Sequence, residues 1–313
     1  MNGKPDTQDR IWAVIAHLSA VAFGMGILLP IVGWSEQRRK SNYAAFHCLQ
    51  ALGYQSLGYT VWFLLSLLLM IAVIFAMAVS LGNAGESIGD LDAATGFWMI
   101  ALFVVMLVLI GLYALFPVIA AIACALGRDF RYPVMGDRLA RYLEYDPSRA
   151  GNERAWLIED HEDRWVAAMG HFSVIIALWG MLAPLTAWIL QGKRALFLKF
   201  QSIQTLVYQG LVALLVFGAG FVYMFGFVVF LALTGFEGDP SLDSPSRMVG
   251  LVVLMISMLV AALTVLMVPF FHILGQWAGY RVLKGDDFRY PVIGRLAEKW
   301  AANNVMLTPP DAP

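Results

Sequence analysis

The sequence predicts an all-α fold, a polytopic helical membrane protein built as two parallel repeats, each a short helical hairpin plus two long transmembrane helices. Three observations predict it. First, hydrophobic residues make up 60% of the 313-residue chain and charged residues 14%, with a mean hydropathy of +0.70, whereas soluble domains carry about 25% charge. Second, Asp9, Arg10, His17, Ser19, Pro30, Trp34, Phe46, Gln50, Tyr54 and Gln55 recur 154 positions later as Asp163, Arg164, His171, Ser173, Pro184, Trp188, Phe200, Gln204, Tyr208 and Gln209. Such a duplication decides the architecture before any finer reading. Third, four apolar stretches, residues 49–80, 97–126, 202–233 and 249–279, exceed the roughly 20 residues that a helix needs to cross a bilayer core.

The duplication sets the units at residues 1–146 and 147–313. It extends to a second motif, in which Gly127, Asp129, Phe130, Arg131, Tyr132, Pro133, Val134 and Gly136 return 158 positions later as Gly285, Asp287, Phe288, Arg289, Tyr290, Pro291, Val292 and Gly294. The first apolar run, residues 11–33, looks like a signal peptide. Asp6 and Asp9 spoil its basic flank, and the same run returns from Trp165 in mid-chain, so it reads as mature structure.

Orientation follows the Lys and Arg of the connections. Residues 81–96 contain neither, only Glu86, Asp90 and Asp92, and residues 234–248 contain Arg247 alone, so both loops are expected outside. The 127–165 connection carries seven Arg, and further bases cluster at Arg38, Arg39 and Lys40, at Lys193, Arg194 and Lys199, and from Arg281 to Lys299. Those segments and both termini are expected in the cytoplasm of a bacterium, with the chain in the inner membrane. Lys4 and Arg10 then flank residues 11–34 on the same side as Arg38. A hairpin that bends at Phe23-Gly24-Met25-Gly26, and at Trp179-Gly180 in the second copy, satisfies this, with Pro30 and Pro184 near the return. Backbone at such a bend needs protein or water partners. The alternative is a single tilted crossing, with three spans per half and inverted repeats. It would put the two Phe-Arg-Tyr-Pro segments on opposite sides.

The four long spans exceed the core thickness at about 1.5 Å per residue, so tilt or an overhang of the inner ends, with Gln50 and Gln204, is expected. After the last span of each half, Phe130, Arg131, Tyr132 and Pro133, and Phe288, Arg289, Tyr290 and Pro291, combine aromatics with Arg as headgroup-level anchors on the inner face do. A short interfacial helix should follow each, with Leu139 and Leu143 set against Arg138 and Arg141, and Leu296 and Trp300 against Arg295 and Lys299. Residues 144–162 read as a solvated linker and 308–313 as a frayed tail.

Gln50 and Tyr54 share one helix face, as do Gln204 and Tyr208. With His17 and His171 in the hairpin arms they are the candidate polar cavity. One reading has them line a wet space between the halves; the other has them bond headgroups or a neighbouring helix. No carboxylate or second His stands at ligand spacing from His17 or His171, so hydrogen bonding, with Ser19 or Ser173 nearby, is favoured over metal binding. His272 has no counterpart in the first half, and Gly275 and Gly279 indicate close helix packing. Cys48 and Cys124 read as free thiols. No nucleophile elbow, phosphate loop, His-Glu-x-x-His or dinucleotide fingerprint occurs. The expectation is therefore a non-enzymatic protein with no cofactor, no metal and no catalytic residue. Near-neutral charge gives no nucleic-acid partner, and the spans lack the buried charge of an ion-coupled carrier. The expected partners are the lipid bilayer and other membrane proteins.

Taken in order, each half runs Asp-Arg-x-x-Ala, His-x-Ser, Pro, a basic turn, Phe-x-x-x-Gln and Phe-Arg-Tyr-Pro. This resembles the widespread, functionally uncharacterised bacterial membrane domain related to the twenty-kilodalton Tic component of the chloroplast inner envelope. The resemblance covers nearly the whole chain, twice, although that unit is normally single. It implies four short or long membrane helices per unit with both ends on one side. It also implies an association with protein import, although a shared fold does not by itself carry function. Two functions follow as expectations: scaffold or accessory subunit of a membrane complex, and transport or translocation pore.

Overall fold

The computed structural model describes residues 5–83, 88–149, 156–234 and 244–306, and of residues 80–83, 88–94, 149, 177 and 302–306 the backbone alone. The expectations for Glu86, for linker residues 150–155, for loop residues 235–243 and for the tail 308–313 lie outside the described residues. Every regular element among the described residues is helical. The first repeat runs α1 (Thr7–Leu18), a 3-10 stretch (Ser19–Ile27), α2 (Leu28–Gln37), α3 (Asn42–Asn83), α4 (Ile88–Ala125) and α5 (Met135–Leu143). The second runs α6 (Glu159–Phe172), a 3-10 stretch (Ser173–Met181), α7 (Leu182–Gln191), α8 (Leu196–Thr234), α9 (Pro245–Leu283) and α10 (Ile293–Met306).

Local chemistry sets the helix ends. Asp6 caps α1 by accepting from the Asp9 amide at 2.7 Å while Asp9 accepts from the Asp6 amide, a reciprocal box that satisfies two orphan donors. Ser41 accepts from the Ala44 amide at 3.1 Å at the start of α3. Pro30 and Pro184 fall in the first turns of α2 and α7, where no intrahelical partner is lost.

By length and apolarity the stretch Thr7–Gln37 could cross a membrane as one rod, but it folds back. Phe23 leaves helical space at φ 51°, ψ −139°. The returning arm comes so close that a Cβ on Gly33 would stand 3.0 Å from the Trp12 ring. The second hairpin has Gly170 against Pro184 in the same way. At about 1.5 Å per residue the twelve-residue α1 reaches only about 18 Å deep.

The bend closes through a repeated polar clamp, which supplies the partners that its backbone needs. Ser19 Oγ donates to Ala16 O at 2.7 Å and Gln55 Nε2 donates to Ser19 Oγ at 2.9 Å. In the second copy Ser173 Oγ donates to Gly170 O and Gly180 O, and Gln209 Nε2 to Gly170 O at 2.8 Å.

The two hairpins pack against each other, with corresponding ends side by side. Gln191 donates to Ser35 Oγ at 2.6 Å at one end. Gly24 lies against Trp179 and Ile176 at the other. Bend beside bend and tail beside tail means the hairpins of the two repeats run parallel. Inversion is excluded by the same contacts.

Around the hairpins stand the lower halves of the long helices. Phe46, Leu49 and Leu52 of α3, Met169 of α6 and Leu198 of α8 are fully buried in one core that both repeats share. Beyond this collar α3, α4, α8 and α9 continue with large apolar side chains exposed, among them Phe75 at 70% and Phe221 at 76%. Continuous exposed apolar surface of this kind needs lipid. The protein is an integral membrane protein.

The amphipathic helix α5 departs from expectation. Leu139 and Leu143 are buried in the shared core, so the apolar face of α5 meets protein and not lipid. The 144–162 segment departs too, because Glu162 is buried. Glu162 is covered by Trp34 and Arg38 of the other repeat, whereas α5 packs on α3 of its own repeat as well as on α6.

Candidate functional site

Each repeat builds a polar centre where the hairpin, the start of its first long helix and the exit motif meet. His17 and His171, on the inward faces of α1 and α6, are fully buried. Their Nδ1 atoms lie 3.0 Å from the hydroxyls of Tyr132 and Tyr290. Gln50 Nε2 donates to Phe130 O at 3.0 Å while Gln50 Oε1 accepts from the Tyr132 amide at 3.2 Å. Gln204 does the same with Phe288 O and the Tyr290 amide.

The Gln side chain thus holds both backbone groups of a non-helical segment, as a strand neighbour would. Its approach needs a glycine, because a Cβ on Gly136 would meet Gln50 Oε1 at 2.6 Å. Val134 and Val292 take φ 65° and φ 67° next to these contacts, a backbone region that β-branched residues avoid. Two copies with the same outlier show that the surrounding bonds impose it.

Tyr54 stacks on Tyr132 with ring centroids 4.3 Å apart, and Tyr208 on Tyr290 at 4.2 Å. Tyr54 OH donates to Tyr113 O at 2.7 Å. Pro117, four residues on inside α4, has no N–H for that carbonyl, so the tyrosine replaces a missing helix bond. Tyr208 OH donates to Phe271 O at 2.6 Å. Gln50, Tyr54, Gln204 and Tyr208 each bond backbone carbonyls of their own repeat.

The exit motif also differs from a simple headgroup anchor. Tyr132 and Tyr290 are 3% and 2% exposed and point inward to the histidines. Phe130 and Phe288 are half-buried, and Pro133 and Pro291 are exposed. Arg131 pairs with Asp129 at 3.2 Å and Asp137 at 2.8 Å, and Arg289 with Asp287 at 3.0 Å and with Glu298. The arginines brace the turn into the next helix.

The polar centres are not identical. In the second, His171 Nε2 meets Gln201 Oε1 at 3.0 Å and Thr205 Oγ1 lies beside the ring. In the first, position 47 is a histidine. His17 Nε2 lies 3.2 Å from His47 Nδ1, and Cys124 Sγ 3.6 Å from the same atom. All three residues are fully buried and their ligand atoms lie within 4.8 Å of one another. Spacing along the chain could not reveal this trio, since its members sit on three different helices. Cys48, buried on α3, faces Gly33, and His272 Nδ1 bonds the Val268 carbonyl of its own helix.

A third constellation joins the repeats at the end that carries the basic turns. Arg38 reaches from the end of α2 to Glu162 at 3.0 Å and Asp163 at 2.8 Å, and donates to Glu159 O at 3.2 Å. Trp34 Nε1 donates to Glu162 Oε1 at 3.1 Å, and the guanidinium lies over the Trp34 ring. Asp163 repeats Asp9 in sequence but not in role. The equivalent of Arg38 is Gly192, so this clamp exists once.

Between α3 and α9 lies an apolar groove of about 820 Å³, lined by Phe63, Leu67, Val265, Pro269 and Ile273 among others. It suits lipid tails better than a hydrated solute.

Family comparison matches the chain twice, over residues 8–139 and 162–297, to a family described as magnetosome magnetite crystal formation proteins. Each match takes in one hairpin, two long helices and the exit motif. No curated protein and no solved structure matches the chain. The likeness to the Tic component stays one of motif order.

Proposed function

The chain belongs to the magnetosome magnetite crystal formation protein family, and from that premise we propose that it serves crystal formation as a non-enzymatic scaffold or accessory subunit of a membrane complex. The observation that carries this reading is the use made of the intramembrane polar groups. Gln50, Tyr54, Gln204 and Tyr208 are bonded to backbone within their own repeats, and the space between α3 and α9 is apolar. A conducting path needs a polar lining to replace hydration, and the groove between α3 and α9 is lined mainly by apolar side chains. What the long helices offer outward is apolar surface, suited to lipid and to neighbouring helices.

Two tests divide this reading from a transport or translocation pore. Vesicles reconstituted with the pure protein are expected to show no conductance or solute flux, and gentle extraction is expected to bring down a defined larger assembly. Flux that disappears in Gln50→Leu plus Gln204→Leu would establish the pore instead, and a lone chain after gentle extraction would remove the scaffold.

The proposal includes orientation. Units 1–146 and 147–313 sit with the basic end, both termini and Arg38 in the cytoplasm, by the placement of Lys and Arg. A reporter fused at Glu36 is expected to be active only as a cytoplasmic fusion; activity on the far side would invert the assignment.

A further inference from the structure

We infer that the first repeat holds one divalent first-row metal ion, of the borderline class to which zinc and ferrous iron belong, between His17, His47 and Cys124. The inference rests on the geometry of these side chains and is independent of the scaffold reading. An ion bonded at about 2.05 Å to nitrogen and about 2.3 Å to sulfur in tetrahedral array sets its ligands about 3.3 Å apart for N···N and about 3.6 Å for N···S. The two distances at His47 Nδ1 are 3.2 Å to His17 Nε2 and 3.6 Å to Cys124 Sγ. The third pair of ligand atoms lies within 4.8 Å, close enough for a small rotation of the cysteine to complete the face.

The outer shell has the form such sites need. A metal-bound histidine donates its other ring N–H to a carboxylate or another acceptor, which fixes tautomer and ring plane. His17, bound through Nε2, offers Nδ1 to Tyr132 OH at 3.0 Å. His47, bound through Nδ1, offers Nε2 to Asp129 Oδ1 at 3.4 Å. That buried Nε2 has no hydrogen-bond partner, so the Asp129 carboxylate is its acceptor in waiting, and binding that draws the ring into line completes the bond. Two imidazoles and a thiolate exclude magnesium and calcium, which prefer oxygen donors. Binding displaces one proton, from the Cys124 thiol.

The second repeat is an internal control. It keeps the histidine, the tyrosine and the aspartate, as His171, Tyr290 and Asp287, but has Gln201 and Val282 where the first has His47 and Cys124. There the histidine is satisfied by Gln201 and Thr205. Holding the hairpin therefore requires neither the second imidazole nor the thiol, and both occur only where they meet. Three protein ligands leave a fourth position for a ligand from outside the chain.

The test uses the full-length chain in detergent, stripped with chelator and titrated with Co2+. One equivalent is expected to bind with the intense visible bands of a tetrahedral site and a near-ultraviolet sulfur-to-cobalt charge-transfer band. Zn2+ should displace it. Cys124→Ser is expected to abolish the charge-transfer band and His47→Gln, which copies the second repeat, to weaken binding at least 100-fold, the upper range for losing a site's support. Cys48→Ser should change neither. A wild-type chain that binds no Co2+, or binds it without the sulfur band, overturns the inference whatever the variants do. A band that survives Cys124→Ser and vanishes in Cys48→Ser would overturn the ligand set.

Discussion

Gly26→Ala and Gly180→Ala are each expected to abolish the folded protein. At the hairpin bend the chain passes so close to itself that a Cβ on Gly26 would stand 1.8 Å from Ser19 O, and one on Gly180 would stand 2.0 Å from Ser173 O. The obstacle is backbone, so no side-chain rotation relieves it. Overpacking among side chains costs about 1–3 kcal/mol. Here the arms must separate, which also breaks the bonds from Gln55 to Ser19 and from Gln209 to Gly170 and strands amides in an apolar setting at several kcal/mol each. A total loss above about 5 kcal/mol is expected, comparable to the whole stability of many domains. Gly111→Ala and Gly218→Ala, whose added methyl meets nothing within 4 Å, should be neutral or stabilise by up to about 1 kcal/mol. Size-exclusion profiles and melting curves in detergent read the difference. Equal midpoints for Gly26→Ala and the wild type would mean that the arms do not cross at this residue.

Above about pH 7, Arg38→Met should cost about 3–5 kcal/mol, because it leaves a buried carboxylate without its cation. Glu162 is fully covered and Arg38 nearly so, at 6% exposed. Burial outweighs the attraction of Arg38 and raises the Glu162 carboxyl from the usual 4.5 to about 7, and that of Asp163 from 3.8 to about 6. An acid whose pKa is higher in the folded state binds its proton more tightly there. Its contribution is therefore complete below about pH 4.5 and is lost as pH rises toward 7. The melting temperature of the wild type, taken relative to Glu162→Gln, should accordingly fall across that window. Arg38→Met combined with Glu162→Gln should recover most of the single-variant loss, as coupled partners do. A difference that grows with pH would show the carboxylate to be stabilised by its surroundings and would remove this account of the clamp.

The sequence made the duplication, the four long helices and the hairpins legible, because each is written in one-dimensional periodicity and in the placement of Lys and Arg. Gln50 and Tyr54 could be placed on one face by their spacing. That they turn to Phe130 and Tyr113 depends on where α4 returns, which spacing does not encode. Glu162 looked solvated at the end of the charged linker, and only the docking of the first repeat buries it. Tyr132 read as an anchor from its company of Phe, Arg and Pro, while its inward turn is dictated by His17. His47 and Cys124 carried no local signal at all, since their meeting is a product of α1, α3 and α4 packing together.

The seam between the repeats is charged on one side and has Gly192 on the other. An even-handed pairing of identical modules would present the same contact twice, and a head-to-tail one could go on adding modules into a ring or fibre. With a cation at only one of the two equivalent positions, the charged contact forms once, and the two halves bring different residues to the seam. Fusion into one polypeptide has made stoichiometry a covalent property and freed each half to diverge without losing its mate.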